Sequence, residues 1–168
     1  MYTELFGKMK KQLGQIDAWF VAAEALAVSK KFDANLLLEM RLAPDQFALV
    51  RQVQITCDTA KLGASRITGR EAPSHADTEK TFAELRARIA SVIAYLETFT
   101  AGDFESAATR TVTQPRWEGK VMSTADYFVE HVIPNFYFHL AHTFAILRHN
   151  GVNVGKRDYL GTLSQRLP

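Results

Sequence analysis

The chain has 168 residues, 47% hydrophobic and 23% charged, a balance that excludes a disordered or fibrous protein and predicts one globular domain over residues 1–168. Twenty Lys and Arg against eighteen Asp and Glu leave a formal charge of +2 that is spread along the chain, so we expect no nucleic-acid partner. A single cysteine, Cys57, excludes an internal disulfide, and neither a secretory leader nor an apolar run of about 20 residues is present, which predicts a cytoplasmic protein without a membrane partner.

The first predicted helix carries one apolar stripe, at spacings of three and four residues from Leu5 to Ala27, and ends near Val28. The leucine-rich segment 32–42 is predicted to be a crossing connection. Proline restricts the residue before it and suits the first turn of a helix, so we predict that the second helix begins near Pro44.

Two further helices follow from the same spacing of apolar residues. The second predicted helix stops at Gly69, and a surface turn follows over residues 70–77. The third predicted helix ends near Phe99. The two stripes consist of Val50, Val53, Cys57, Ala60, Ala64 and Ile67, and of Phe82, Leu85, Ile89, Val92 and Leu96.

Residues 100–122 contain glycines and a proline and predict a long irregular connection, with a short extended piece within residues 109–113. Loops of this length in a compact domain are often functional, so Arg116, Trp117 and Glu118 are candidate contact residues. The alternative is a loop that is simply packed by its own Trp117.

The fourth predicted helix starts at Ser123 or Thr124 and ends at Asn150-Gly151, and Pro134 in its interior predicts a kink. One short turn of helix is expected within the remaining residues, 152–168. Four long helices, no clear pair of strands and one long connection indicate an all-α protein with the architecture of a four-helix bundle.

The fourth helix carries the main concentration of reactive side chains in the chain. At about 100° per residue, one arc collects His131, Asn135, His139, His142 and His149. The opposite arc is apolar, with Ile133, Phe136, Tyr137, Leu140, Phe144 and Leu147. The helix must therefore be covered on both sides, and we predict a homodimer, the alternative being a monomer in which the long loop and the C-terminal segment cover it.

Imidazoles three or four residues apart on a helix can converge on a metal, and neutral imidazole binds Zn, Ni or Fe. His139 and His142 are the candidate metal ligands. A third ligand would have to come from another helix, and on the second helix the polar residues beside the apolar stripe are Gln54 and, further round, Asp58 and Arg51. The alternative is that the histidines are hydrogen-bonded polar residues that line a pocket.

Several segments together carry a family resemblance: Pro134–His139, Ala145–Val152, Gly155–Gly161, Arg41–Asp45 and Gln52–Gln54. In these segments and along nearly its whole length, the chain resembles a bacterial family, a domain of unknown function, within the DinB-like (YfiT-like) metalloenzyme superfamily.

This resemblance implies an up-down-down-up four-helix bundle with a long crossing loop, frequent dimerisation, and a metal centre. In the superfamily the metal is held by one His on the second helix and a His-x-x-x-His pair on the last. His139 matches the second His of that pair, whereas Asn135 stands at the first and Gln54 near the helix-two position. A divalent transition metal such as Zn or Ni is the cofactor that the resemblance implies.

Two functions follow as alternatives. One is an enzyme, a metal-assisted or His-assisted thiol transferase or hydrolase acting on a small molecule, with His139 and His142 as metal ligands or general base. The other is a structural dimer or a non-catalytic binding module in which Gln54, Asn135, His139 and His142 line a pocket for a small polar ligand. Cys57 lies within an apolar stripe and is predicted to be a buried core thiol.

Overall fold

The computed structural model describes residues 1–166, so residues 167 and 168 of the C-terminal segment lie outside the described part. The chain is mainly helical, as predicted. Its α-helices are α1 (Tyr2–Lys30), α2 (Leu49–Thr68), α3 (Phe82–Glu97), α4 (Thr124–Asp126), α5 (Ile133–His149) and α6 (Lys156–Leu160). Short 3₁₀ helices span Ala34–Glu39, Gly102–Thr109 and Pro115–Trp117, and a π-helical turn, Tyr127–Val132, joins α4 to α5.

The core follows from the predicted stripes. In α1, residues spaced by three and four are almost completely buried, among them Leu13, Ile16 and Phe20. α1 packs against α2, α3 and α5, and α2 packs most extensively against α5. The mainly helical fold is therefore confirmed, while the bundle topology, with its up-down-down-up order of helices, stays a prediction.

The predicted start of the second helix at Pro44 was wrong. α2 begins at Leu49, because Pro44 occupies the second position of a β-turn in which the Gln46 N–H donates to the Ala43 carbonyl at 3.0 Å. Proline suits this turn position as well as it suits a first helical turn. The Leu49 N–H then donates to the Met40 carbonyl at 2.9 Å and closes the loop.

The last long helix starts at Thr124 with Ser123 as its cap, and its end at His149 is followed by Gly151 at φ +89°, both as predicted. The irregularity expected at Pro134 takes the form of the π-helical turn immediately before it. The π-helical turn packs closely against α2. A Cβ added at Gly63 of α2 would lie only 2.8 Å from the Val132 Cγ1. Glycine at position 63 thus permits the close approach that forms one wall of the site.

The connection between α3 and α4 contains the predicted extended piece. β1 (Thr111–Val112) pairs antiparallel with β2 (Met122–Ser123), and the turn Pro115–Trp117 lies between the two strands. Trp117 packs near Tyr127, with ring centroids 6.0 Å apart. The hairpin therefore holds Arg116 and Trp117 beside the π-helical turn.

The apolar arc of α5 is covered in part by the chain itself. Phe136, Leu140 and Leu147 are completely buried. Phe144 packs against Trp19 of α1 and Tyr159 of α6. Within residues 1–166, no helix is both long and apolar enough to cross a bilayer.

Candidate functional site

A cleft of about 360 Å³ lies between α2 and the last helix, with the hairpin turn at one end. Its polar lining comes from all three elements. The polar residues are Arg51, Asp58, Thr59 and Arg66 of α2, Gln114 and Arg116 of the connection, and Tyr127, His131, Asn135 and His139 of the π-helical turn and α5. We refer to this space as the α2–α5 cleft.

His139 is held in one tautomer by Gln52. The Gln52 Nε2 donates to the Phe47 carbonyl at 3.2 Å, so its Oε1 faces the ring, where it lies 2.7 Å from the His139 Nδ1. An amide oxygen can only accept, and the Nδ1 must therefore carry the proton. The ring nitrogen that remains for a ligand is Nε2, which carries a lone pair whenever the imidazole is neutral.

The surroundings keep that imidazole neutral. His139 is 7% exposed, and burial lowers its pKa to about 4, helped by its electrostatic interactions with the neighbouring His142 and Arg51 side chains. At neutral pH the Nε2 is thus a hydrogen-bond acceptor or a donor of its lone pair to an electrophile.

Asn135 adds a second acceptor to the same wall of the cleft. The Thr59 hydroxyl donates to the Ile55 carbonyl at 2.7 Å, so its oxygen accepts from the Asn135 Nδ2 at 2.6 Å. The amide of Asn135 is thereby oriented, and its Oδ1 is the atom left for a ligand. His139 and Asn135 together present acceptors at this end of the cleft.

The other end of the cleft is rich in donors. Arg66 donates from Nη1 to the Tyr127 hydroxyl at 2.9 Å, and the Arg116 Nη2 lies 3.3 Å from the His131 Nε2. Burial lowers the pKa of His131, and the charges of Arg116 and Arg66 lower it further. A neutral His131 accepts from Arg116, which leaves both guanidinium groups fully charged.

Two of the charged groups that line the cleft are already compensated. Arg51 pairs with Asp77 at 2.5 Å, and Asp58 pairs with Arg88 at 2.7 Å and Lys61 at 2.9 Å. Within residues 1–166, neither Arg66 nor Arg116 has a carboxylate within 4.0 Å. The net field at their end of the cleft is positive.

The structure brings together part of the predicted polar line. His131, Asn135 and His139 line the cleft. His142 does not line it: its Nδ1 donates to the Phe138 carbonyl at 2.7 Å and its ring lies 4.0 Å from that of Phe138, centroid to centroid. His149 is exposed at the end of α5.

Gln54 lies away from His139. It is 3% exposed, and its amide bonds to Arg51 and to Glu79, which places it in a polar cluster beside α3. The α2 residue that contacts His139 is Gln52, two positions earlier. Two residues apart on a helix correspond to a rotation of about 200°. Gln54 therefore points to the side of α2 that faces Glu79, whereas Gln52 points toward His139.

The residues present do not fit a resident transition metal. Beside His139 the cleft offers one imidazole nitrogen and one amide oxygen, whereas a stable site normally uses three or four strong ligands. The other possible ligands on the lining are engaged, His131 by Arg116 and Asp58 by Arg88 and Lys61. Within the described residues, no group of three His, Cys, Asp or Glu side chains could hold a metal ion. Uncompensated guanidinium groups at one end add repulsion toward a cation.

Sequence reasoning missed Gln52, Thr59, Arg66, Gln114 and Tyr127. Thr59 and Arg66 fall four and eleven residues after Ile55, a helical spacing that could have placed them on one face of α2. Gln114 and Tyr127 gave no such signal, because irregular backbone brings them to the site.

The chain is similar to known proteins along nearly its whole length. A family model described as a domain of unknown function, DUF1993, matches residues 1–160. The chain is also similar to a structure described as a DinB family member protein from Shewanella denitrificans, with 53% identity and a TM-score of 0.94 over 97% of this chain and 93% of that one. No curated protein matches.

Proposed function

Because the chain belongs to the DUF1993 family of DinB-like proteins, we propose from the geometry of its site that it binds a small polar molecule in the α2–α5 cleft, with His139 as the central contact. The observation that carries this proposal is the buried imidazole of His139, oriented by Gln52 and left with an unprotonated Nε2. A binding role was one of the two functions expected from the sequence.

A hydrogen bond between a ligand and an acceptor on the wall of a cleft contributes about 0.5–1.5 kcal/mol net. Within residues 1–166, no hydrogen bond to the His139 Nε2 or to the Asn135 Oδ1 is formed by another side chain or by the backbone. Both atoms are acceptors on one wall of a cleft that can hold a small molecule. A ligand that offers N–H or O–H donors at this wall can pair with both atoms.

A ligand screen by thermal shift and ligand-observed NMR tests the binding role. Small amines, alcohols and hydroxy acids are compared on the unsubstituted protein, His139→Ala and the control His149→Ala, which removes an exposed imidazole outside the cleft. We expect hits that are lost in His139→Ala and retained in His149→Ala. Hits that survive in both variants would show that His139 is not the central contact.

A His-assisted enzyme, a hydrolase or a thiol transferase, is the second candidate. The observation that favours it is the same unprotonated Nε2, which can accept a proton from a bound O–H or S–H group. With a pKa of about 4, however, His139 is a weak base near neutral pH, and the binding role is therefore the first candidate. Turnover of a thioester or ester that disappears in a folded His139→Gln variant would reverse this order.

The metal is tested directly by elemental analysis of protein purified without a His tag, followed by titration with Zn and Ni. From the donor set we expect less than one equivalent to remain after gel filtration, and no difference between the unsubstituted protein and His139→Ala. One tightly bound equivalent that is lost in His139→Ala would restore the metalloenzyme hypothesis.

The cytoplasmic homodimer expected from the sequence also stays a proposal. Its support is the exposure of Val129 and Phe138 on the last helix, at 54% and 53%. Light scattering should give twice the 18.9 kDa mass of the chain, and a Val129→Ser, Phe138→Ser double variant should move it toward the monomer. A monomeric mass for the unsubstituted protein would end the proposal.

A further inference from the structure

The donor-rich end of the α2–α5 cleft has the chemistry of an anion site. Two guanidinium groups, those of Arg66 and Arg116, line this end, and neither pairs with a carboxylate within the described residues. Arg66 is partly buried on α2, whereas Arg116 lies exposed on the hairpin turn at the rim. An arginine fork binds carboxylate and phosphate groups through paired hydrogen bonds, which gives both affinity and orientation.

Two further side chains at this end add neutral donors. Tyr127 is 2% exposed, and since its oxygen accepts from Arg66, its own O–H proton is directed elsewhere. Gln114 is 9% exposed, and its Nε2 is buried without a hydrogen-bond partner in residues 1–166. A buried amide donor with no partner is uncommon, and because Gln114 lines the cleft, this donor can pair with an acceptor that enters it.

We infer that the Arg66–Arg116 end of the cleft binds the carboxylate or phosphate of an elongated ligand whose opposite end donates hydrogen bonds to Asn135 and His139. The inference rests on the proposed function, and it adds the class of the ligand: an acid that carries a hydroxyl or amino group at its far end and is long enough to cover the roughly 12 Å of helix between His131 and His139. The two ends of the cleft are thus complementary to the two ends of one molecule.

The experiment titrates sodium phosphate and sodium acetate into the full chain at constant ionic strength, held with NaCl, and follows backbone and arginine side-chain NMR signals. Arg66→Gln and Arg116→Gln are compared with the control Arg148→Gln, which removes an equal charge from the exposed side of α5. A charge-assisted hydrogen bond is worth about 1.5–3 kcal/mol, so each cleft variant should weaken binding about tenfold or more. The control should stay within about twofold.

The two probes distinguish the sources of the anion. Tighter binding of phosphate at the same pH identifies a phosphate ester as the ligand, and tighter binding of acetate identifies a carboxylic acid. Equal weakening in Arg148→Gln would show that the probes sense overall charge alone, and it would overturn the inference. Unchanged binding in both cleft variants would do the same. Because Arg116 lies on an exposed turn, Arg116→Gln should fold normally. It therefore tests the inference even if Arg66→Gln does not fold.

His131 supplies a readout that a purely structural role would not move. The His131 ring is faced by Arg116 from the hairpin and by Arg66 from α2, and Asp58 of α2 also lines the cleft. The rings of Trp117 and Tyr127 pack against the His131 ring. A bound anion offsets the two positive charges, so the pKa of His131 measured by NMR should rise when either probe is added. A fixed pKa at saturating anion contradicts the inference.

The outcome is separable from that of the proposed function. His139→Gln should retain binding of the simple anions, because they need only the Arg66–Arg116 end. Screen hits that need His139 but tolerate Arg66→Gln and Arg116→Gln would leave the binding role intact and remove the anion site.

Discussion

Two neighbouring polar regions, which meet at Asp58 of α2, use arginine in opposite ways. On the α3 side, the Arg88 side chain is 1% exposed and bonds to Asp58, Asp77 and Glu79 at 2.6–2.9 Å. In the α2–α5 cleft, Arg66 and Arg116 have no carboxylate partner among the described residues. Charges that are paired within the chain hold the fold, and charges that are left without a partner are available to a ligand.

The Arg88 cluster shows what a structural site looks like. It fixes the 69–81 connection onto α2 and α3, with Lys61 also bonded to Asp58 and to His75. Burial raises the pKa of Glu79, but the hydrogen bonds from Arg88 and Gln54 outweigh it and leave that pKa below its usual value. Among these side chains the carboxylates and cations compensate one another, which leaves no charge for an external partner.

The largest expected effect on stability is therefore that of Arg88→Met. Removing one partner from a buried ion cluster leaves uncompensated carboxylates, which costs about 3–5 kcal/mol. Urea denaturation at pH 7 should show this loss in the free energy of unfolding. The matched control is Arg66→Met, for which we expect less than about 1 kcal/mol. Similar losses in the two variants would remove the distinction between the regions.

His139 gives the next largest effect, and it depends on pH. Its pKa is about 4 in the folded chain, against 6.5 for an imidazole in its ordinary aqueous surroundings, so the stability that its neutral form contributes is complete above pH 6.5 and is lost as the pH falls toward 4. The loss amounts to about 3 kcal/mol at most. In His139→Gln, the free energy of unfolding should fall less between pH 7 and pH 4 than in the unsubstituted protein.

Gln52→Glu provides the companion variant for this prediction. A carboxylate beside the Nδ1 favours the charged imidazole, so the pKa of His139 should rise and the acid-dependent loss of stability should become smaller. If His139→Gln and Gln52→Glu both keep the full pH dependence of the unsubstituted protein, His139 is not the group that titrates.

The sequence predicted the helices because their burial repeats every three or four residues, and this period survives in α1, α2, α3 and α5. It failed at Pro44, where a proline fits a β-turn and a helix start equally well. It also chose Gln54 rather than Gln52 as the polar residue near His139, because the spacing of an apolar stripe does not say which of its two flanks faces the last helix. Asn135 and His139, which the sequence also named, both line the cleft, and their role in binding stays a prediction. Gln114 and Tyr127 could not be predicted, since their positions depend on how an irregular connection and a π-helical turn pack.

The smallest expected effect on stability is that of Arg116→Gln, and it tests the comparison most sharply. Arg116 is exposed, has no carboxylate partner in residues 1–166, and shares its end of the cleft with another guanidinium group, so its charge contributes repulsion rather than pairing. We expect a change within about 0.5 kcal/mol in the free energy of unfolding, with a slight gain at low salt that disappears as salt is added. A loss above about 1 kcal/mol would make Arg116 a structural residue like Arg88. A neutral result combined with weakened binding of phosphate or acetate assigns its charge to the ligand, because a side chain that the fold does not need is then required by what enters the cleft.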